Sequence, residues 1–260
     1  MNILRSFSHV ITATLLLGST QIATADTISI SGAVLKPGTY QWHADARLHD
    51  ATVAGQVRAD AWFLGAALLR QSALEPQQRL KAGVLFELRV NRLHARTENN
   101  PALYTLLEEF TQQVQDMPVT GRVPAELNPL QLMIPSRNPL LEPGDQLVYP
   151  THPDHVRVLG AVQAPCVLSF DVQAQLRDYL RQCPDHAAAD KDQVFVIQPD
   201  GRVQEVGIAA WNAQPVNIAV GAVIYRPVSS AVLSPETPGF NRDVADLLAT
   251  QYRLGGRFSE

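Results

Sequence analysis

Ile28-Ser29-Ile30-Ser31-Gly32-Ala33-Val34 returns 128 positions later as Val156-Arg157-Val158-Leu159-Gly160-Ala161-Val162. The offset holds without a gap through Pro37/Pro165, Tyr40/Leu168, Trp42/Phe170, Leu48/Leu176 and Asp50/Asp178. Alternating apolar residues, a Gly-Ala-Val end, a proline turn and a second alternating run read as a β-hairpin. After the second copy, Val172 to Cys183 carries Leu176, Tyr179 and Leu180 at helical spacing and stops at Pro184. Gly121-Arg122-Val123 then matches Gly201-Arg202-Val203 at an offset of 80, and Gln146-Leu147-Val148-Tyr149-Pro150 matches Val223-Ile224-Tyr225-Arg226-Pro227 at 77. Each unit is strand, strand, helix, hairpin, strand. That order is a β-grasp, a small sheet whose apolar face one helix covers.

The fall in offset from 128 to 80 places 48 extra residues in the first unit, between Asp50 and Gly121. Leu74-Glu75-Pro76 opens a segment with Leu80, Val84, Leu85 and Leu88 on one face. Asn100-Pro101 restarts it as cap and first residue, with the stripe Leu103, Leu106, Leu107, Phe110 and Val114. A helical hairpin is therefore inserted in the first unit, and both stripes read as core. After a Ser- and Pro-rich linker, Phe240, Val244, Leu247, Leu248, Gln251 and Tyr252 trace an amphipathic helix of about 15 residues, roughly 22 Å. It is too short and too charged to span a bilayer alone.

The expected class is α+β: two tandem β-grasp domains, the first with a helical-hairpin insertion, plus a C-terminal amphipathic helix. The expected divisions are 1–25 signal peptide, 26–150 first domain with its insertion at about 60–118, 151–155 linker, 156–228 second domain, and 229–260 linker and helix. The first division rests on Arg5, the apolar run Val10 to Gly18, and Ala23-Thr24-Ala25 before Asp26, the charged, apolar and A-x-A order of a secretory signal. Asp26, where a lipoprotein would need cysteine, gives the expectation of a processed chain without an N-terminal lipid, placed in the periplasm. Without Arg5 the chain holds 20 basic and 25 acidic residues and no basic block, which argues against nucleic acid as a partner.

No catalytic or phosphate-binding signature appears: no G-x-S-x-G, P-loop, G-x-G-x-x-G after a strand, or H-E-x-x-H. His152-Pro153-Asp154-His155 reads as a solvated connector rather than a metal site, since Pro153 breaks any helical spacing. No cofactor or metal is expected. Glu108-Glu109 point about 100° apart on a helix, and Asp45 and Asp50 read as helix-start residues, so no glycosidase pair stands out. Two residues are ligand candidates. Arg122, beside the insertion, offers a fixed fork of donors to carboxylates or sugar hydroxyls, or else is an exposed turn residue. Trp62 would stack on a sugar ring, or else is core.

Cys166 and Cys183 are the chain's two cysteines, so an oxidising compartment permits one bridge. A strand out from Cys166 and a helix back to Cys183 each cover roughly 17–20 Å, which returns the helix end to the turn. Two separate buried thiols are the alternative.

Trp62-Phe63-Leu64-Gly65-Ala66, Val119-Thr120-Gly121-Arg122-Val123-Pro124, Leu159-Gly160-Ala161-Val162 and Ala209-Ala210-Trp211-Asn212 together resemble the periplasmic GfcC family of group 4 capsule biosynthesis proteins. The resemblance implies two β-grasp domains similar to the soluble-ligand-binding β-grasp domains of outer-membrane polysaccharide exporters. It implies a non-catalytic accessory role in capsule or exopolysaccharide secretion or assembly. The partner would be polysaccharide or an outer-membrane polysaccharide export protein. A polysaccharide-modifying enzyme and a structural subunit of an export complex are the alternatives.

Overall fold

The computed structural model describes residues 26–254; the expected signal segment, 1–25, lies outside the described residues, as do 255–260. The first unit runs β1 (Thr27–Gly32), β2 (Gly38–Gln41), α1 (Leu48–Gly55), β3 (Ala67–Leu69), α2 (Leu74–Thr97), α3 (Pro101–Asp116), β4 (Arg122–Val123) and β5 (Gln146–Tyr149). The second runs β6 (His155–Gly160), β7 (Cys166–Ser169), α4 (Leu176–Gln182), β8 (Gln193–Ile197), β9 (Val203–Gly207) and β10 (Val223–Arg226), and α5 (Phe240–Ala249) follows. Strand order is β2-β1-β5-β3-β4 in one sheet and β7-β6-β10-β8-β9 in the other, the same β-grasp order twice. In each, the first and last strands pair in parallel (Ile30 with Leu147, Val158 with Ile224) and the other neighbours are antiparallel.

The repeated residues explain the repeated backbone. Asp50 and Asp178 both accept from the backbone N–H three residues earlier, Arg47 at 2.9 Å and Gln175 at 2.8 Å, closing the first turn of α1 and α4. Gly32 and Gly160 end the first strands at φ +89° and +100°; a Cβ there would fall 2.0 Å from the Tyr149 carbonyl oxygen and 2.3 Å from that of Arg226. Only glycine fits where the chain leaves the sheet this close to its last strand.

The insertion occupies the turn of the hairpin formed by β3 and β4. In the second unit that turn is the short Gln198–Arg202 reversal; in the first, α2 and α3 stand between Leu69 and Arg122. The sequence starts the insertion near 60, whereas Ala67–Leu69 is a sheet strand and the helices begin at Leu74. Three residues are too short a run to show a period of two. Asn100 caps α3, its Oδ1 accepting from Leu103 N at 3.0 Å.

The insertion reaches the other unit. α1 covers one face of the first sheet through Leu48 and Ala51 against Ile28, Ile30 and Leu147. α4 covers one face of the second through Leu176 and Tyr179 against Val156, Val158, Val194 and Ile224. The opposite face of the second sheet (Leu159, Phe195, Ile197, Val223, Tyr225) packs against Val84 and Leu88 of α2, Leu107 and Phe110 of α3, and Phe240, Val244 and Leu248 of α5. Phe110 and Phe195 flank the Tyr225 ring at 6.2 and 6.0 Å. Full burial of each large side chain stabilises this shared core by about 1.5–3 kcal/mol.

Cys166 and Cys183 are joined, with Cα atoms 6.0 Å apart, within the range a disulfide needs. In both units backbone hydrogen bonds already hold the turn to the helix end, Lys36 N to Gly55 O and Gln163 N to Pro184 O. Where the second unit adds the bridge, the first has Gly38 and Gly55, and the Tyr40 hydroxyl sits between the same two places, donating to Lys36 O at 2.6 Å with Ala54 O 3.2 Å away.

Candidate functional site

The segment Pro118 to Arg122 leads from α3 back into the first sheet and meets the end of α5. The Thr120 hydroxyl donates to Thr250 O at 2.7 Å, and Gln251 Nε2 donates to Pro118 O at 3.0 Å. Arg122 Nη1 donates to Ala249 O at 3.3 Å, and its Nη2 donates to Pro199 O in the equivalent turn of the second unit. The guanidinium is buried, which lowers its pKa to about 10, and Asp200 opposes that fall. It stays charged at neutral pH, beside the negative end of a helix dipole. Gln77 of α2 fixes the same backbone, accepting from Gly121 N and donating to Arg122 O. Arg122 is therefore a buried clasp between unit 1, unit 2 and α5, and not an exposed turn residue.

Trp62 lies in the same junction, 3 % exposed, its ring filling the space a Cβ on Gly65 would enter. The void that Trp62 and Arg122 share is about 10 Å³, one water at most. A sugar ring has no room there. α5 ends at Ala249, short of the expected 15 residues, because its last carbonyls are taken by Arg122 and Thr120 while Gln251 turns to Pro118.

The clasp forms one rim of an open cleft between the units, about 870 Å³, within the range of small-molecule sites. Leu69, Leu74, Met117 and Leu159 give it apolar wall; Gln113, Gln146 and Gln251 bring amides; Arg70, Arg157 and Arg253 bring cations. Arg70 is held by Asp145, with Nε to Oδ1 at 3.0 Å and Nη2 to Oδ2 at 2.7 Å, and by Glu142 at 3.0 Å; the hydrogen bond to Asp145 chiefly raises its pKa. Arg157 carries a buried Nε with no hydrogen-bond partner. Asp116 is the one carboxylate among the described lining residues, so the cleft does not present the two acids of a glycosidase. Apolar wall, amides and guanidinium suit sugar rings and hydroxyls. No group of three or more His, Cys, Asp or Glu is placed to hold a metal among the described residues.

Sequence reading singled out Arg122 and Trp62, which the fold brings together in the junction, and missed Arg157 and Gln146, which face the cleft. Arg157 had a signal: it stands where the first unit has Ser29, between two strand residues that are apolar in both copies.

Residues 164–252 match the family described as capsule biosynthesis GfcC, C-terminal. The match takes in most of the second unit, α5, and the Gln251 and Tyr252 that line the cleft. The chain is also 27% identical over 202 residues to the Escherichia coli K12 protein YjbG, described as uncharacterized, covering 77% of this chain and 81% of that one. The chain is GfcC-like. No helix among the described residues is long and apolar enough to cross a membrane.

Proposed function

We propose that this GfcC-like chain is a non-catalytic accessory protein of capsule or exopolysaccharide secretion or assembly. It works in the periplasm and holds glycan, or a part of the export machinery, in the cleft between its units. The observation that carries this reading is the overlap between the capsule-biosynthesis match and the cleft wall: the matched segment supplies Pro165, Gln251 and Tyr252. The lining supports a binding role, because a wall of Leu and Met with four glutamine amides and arginines recognises hydroxylated rings without a nucleophile.

The test is complementation in cells lacking the native copy. Arg157→Gln combined with Gln113→Ala alters the cleft and no buried core contact. Surface polysaccharide should fall several-fold while the melting temperature of the purified variant stays within about 2 °C. Full polysaccharide output from the variant would remove the cleft from the reading. Mass spectrometry of the periplasmic protein should find a chain beginning at Asp26.

A further inference from the structure

Arg226 ends β10 and is buried, its side chain 3% exposed. Nη2 donates to Asp185 Oδ2 at 2.6 Å, whereas Nε and Nη1 have no hydrogen-bond partner. An unpaired buried donor destabilises the folded chain, so a fold does not gather two on one guanidinium for stability. The first unit shows what the position asks for structurally. There Tyr149 takes the place of Arg226, and its hydroxyl donates to Leu127 O at 3.1 Å, with the chain of the 124–142 segment closing over it. The second unit has replaced a satisfied tyrosine with an arginine that has donors to spare.

Arg226 lies in the wall of a pocket of about 910 Å³ between α4 and the 207–217 loop. Arg177, Arg181 and Lys191 share that wall, with Asp185 as the one carboxylate among the described lining residues. Asp185 is already engaged by Arg226 and, at 3.3 Å, by Lys191. A chain of net charge −4 thus gathers four cations around one opening. Arg177 and Arg181 stand where the first unit has His49 and Val53, so the charge is an addition to this copy.

We propose that this pocket binds the carboxylate of an acidic sugar residue. The carboxylate accepts from Arg226, and Arg177 supplies the surrounding positive field together with Arg181 and Lys191, which are paired with Asp178 and Asp185. The pocket volume leaves space for a ring behind the charged group, and Leu180, Pro215 and Val216 give that ring an apolar wall. The site shares no lining residue with the inter-unit cleft, so it goes beyond the accessory reading and stands or falls separately.

Trp211, 76% exposed on the same loop, is the natural reporter, since Trp62 is buried and Trp42 donates its indole N–H to Leu141 O. The full processed chain is titrated with trigalacturonate, with maltotriose and with inorganic phosphate at equal ionic strength, followed by tryptophan fluorescence and calorimetry. Trigalacturonate should bind at least tenfold more tightly than either of the others. Arg177→Gln with Arg181→Gln should weaken it about tenfold at unchanged melting temperature, and Arg226→Met more; Arg157→Gln with Gln113→Ala should leave it intact. Equal affinity for maltotriose, tightest binding by phosphate, no binding, or unchanged affinity in the Arg177/Arg181 variant overturns the proposal. None of those results touches the cleft, whose own variant is read by polysaccharide output in cells.

Discussion

At the scale of single residues, the polar groups buried between the units decide how the chain closes. Asn91 on α2 is fully buried, yet its Oδ1 accepts from Ser234 N at 2.8 Å and Thr237 Oγ1 at 3.1 Å, and its Nδ2 donates to Glu87 O. It anchors the linker that returns to α5. Arg122 does the same for the far end of α5. Arg122→Ala leaves the Ala249 and Pro199 carbonyls unpaired in a dry junction, so stability should fall by about 2–3 kcal/mol. Hydrogen exchange should quicken around residues 245–252, with Arg122→Lys recovering little because a point charge cannot span both carbonyls. An unshifted melting temperature with unaltered exchange there would show that the clasp carries no weight. Asn91 left a trace in the sequence, a polar residue in the stripe Val84, Leu88, Asn91, Ala95. Arg122 left none, because its partners lie 77 and 127 residues away.

At the scale of elements, the joint between α2 and α5 is tuned by carboxylates. Burial first, and then Asp243, raises the pKa of Glu87, whose Oε2 has no hydrogen-bond partner. Burial also raises Asp243, with Asp246 adding to the rise and Arg242 opposing it. A carboxyl whose folded pKa lies above its unfolded one binds its proton more tightly when folded. Stability from this pair is therefore lost as pH rises through the folded values, and is regained on acidification until the unfolded values are passed. The melting temperature of Glu87→Gln, compared with the parent by calorimetry at pH 5 and pH 7, should exceed it at pH 7 by about 1–3 °C. The gap should narrow at pH 5. A gap that widens on acidification would reverse the assignment. The disulfide is the other element-scale feature. Titration of the denatured protein, purified without reductant, should find no free thiol. Replacing both cysteines by alanine should cost about 3 kcal/mol on the chain-entropy account. Two free thiols would remove the bridge. Its place was legible from strand and helix lengths, since Cys166 and Cys183 stand at the two ends of one local excursion.

At the scale of the whole molecule, the two units share a core. The insertion of the first unit covers one face of the second sheet, so the insertion and that face each lack a cover when separated. Calorimetry should record a single transition for the full chain, with calorimetric and van't Hoff enthalpies in agreement; two resolved transitions would separate the units. Removal of residues 240–260 should expose Phe195, Ile197 and Leu159 and raise binding of a hydrophobic dye. The sequence by itself determined the repeat, the strand and helix order, the helix start at Asp50, the cap at Asn100, and the two stripes of the insertion. These are written in short periods and local hydrogen bonds, which a linear reading can see. It also showed that α5 is amphipathic, but not what α5 covers. An apolar stripe records that a face is buried and carries no address for the surface that buries it. Only the tertiary structure decided that α2, α3 and α5 close over the second sheet, that Arg122 and Trp62 lie inside the junction, and that Arg157 and Arg226 face two separate openings. Those outcomes depend on contacts between segments distant in the sequence, where close packing, and not local propensity, selects the partner.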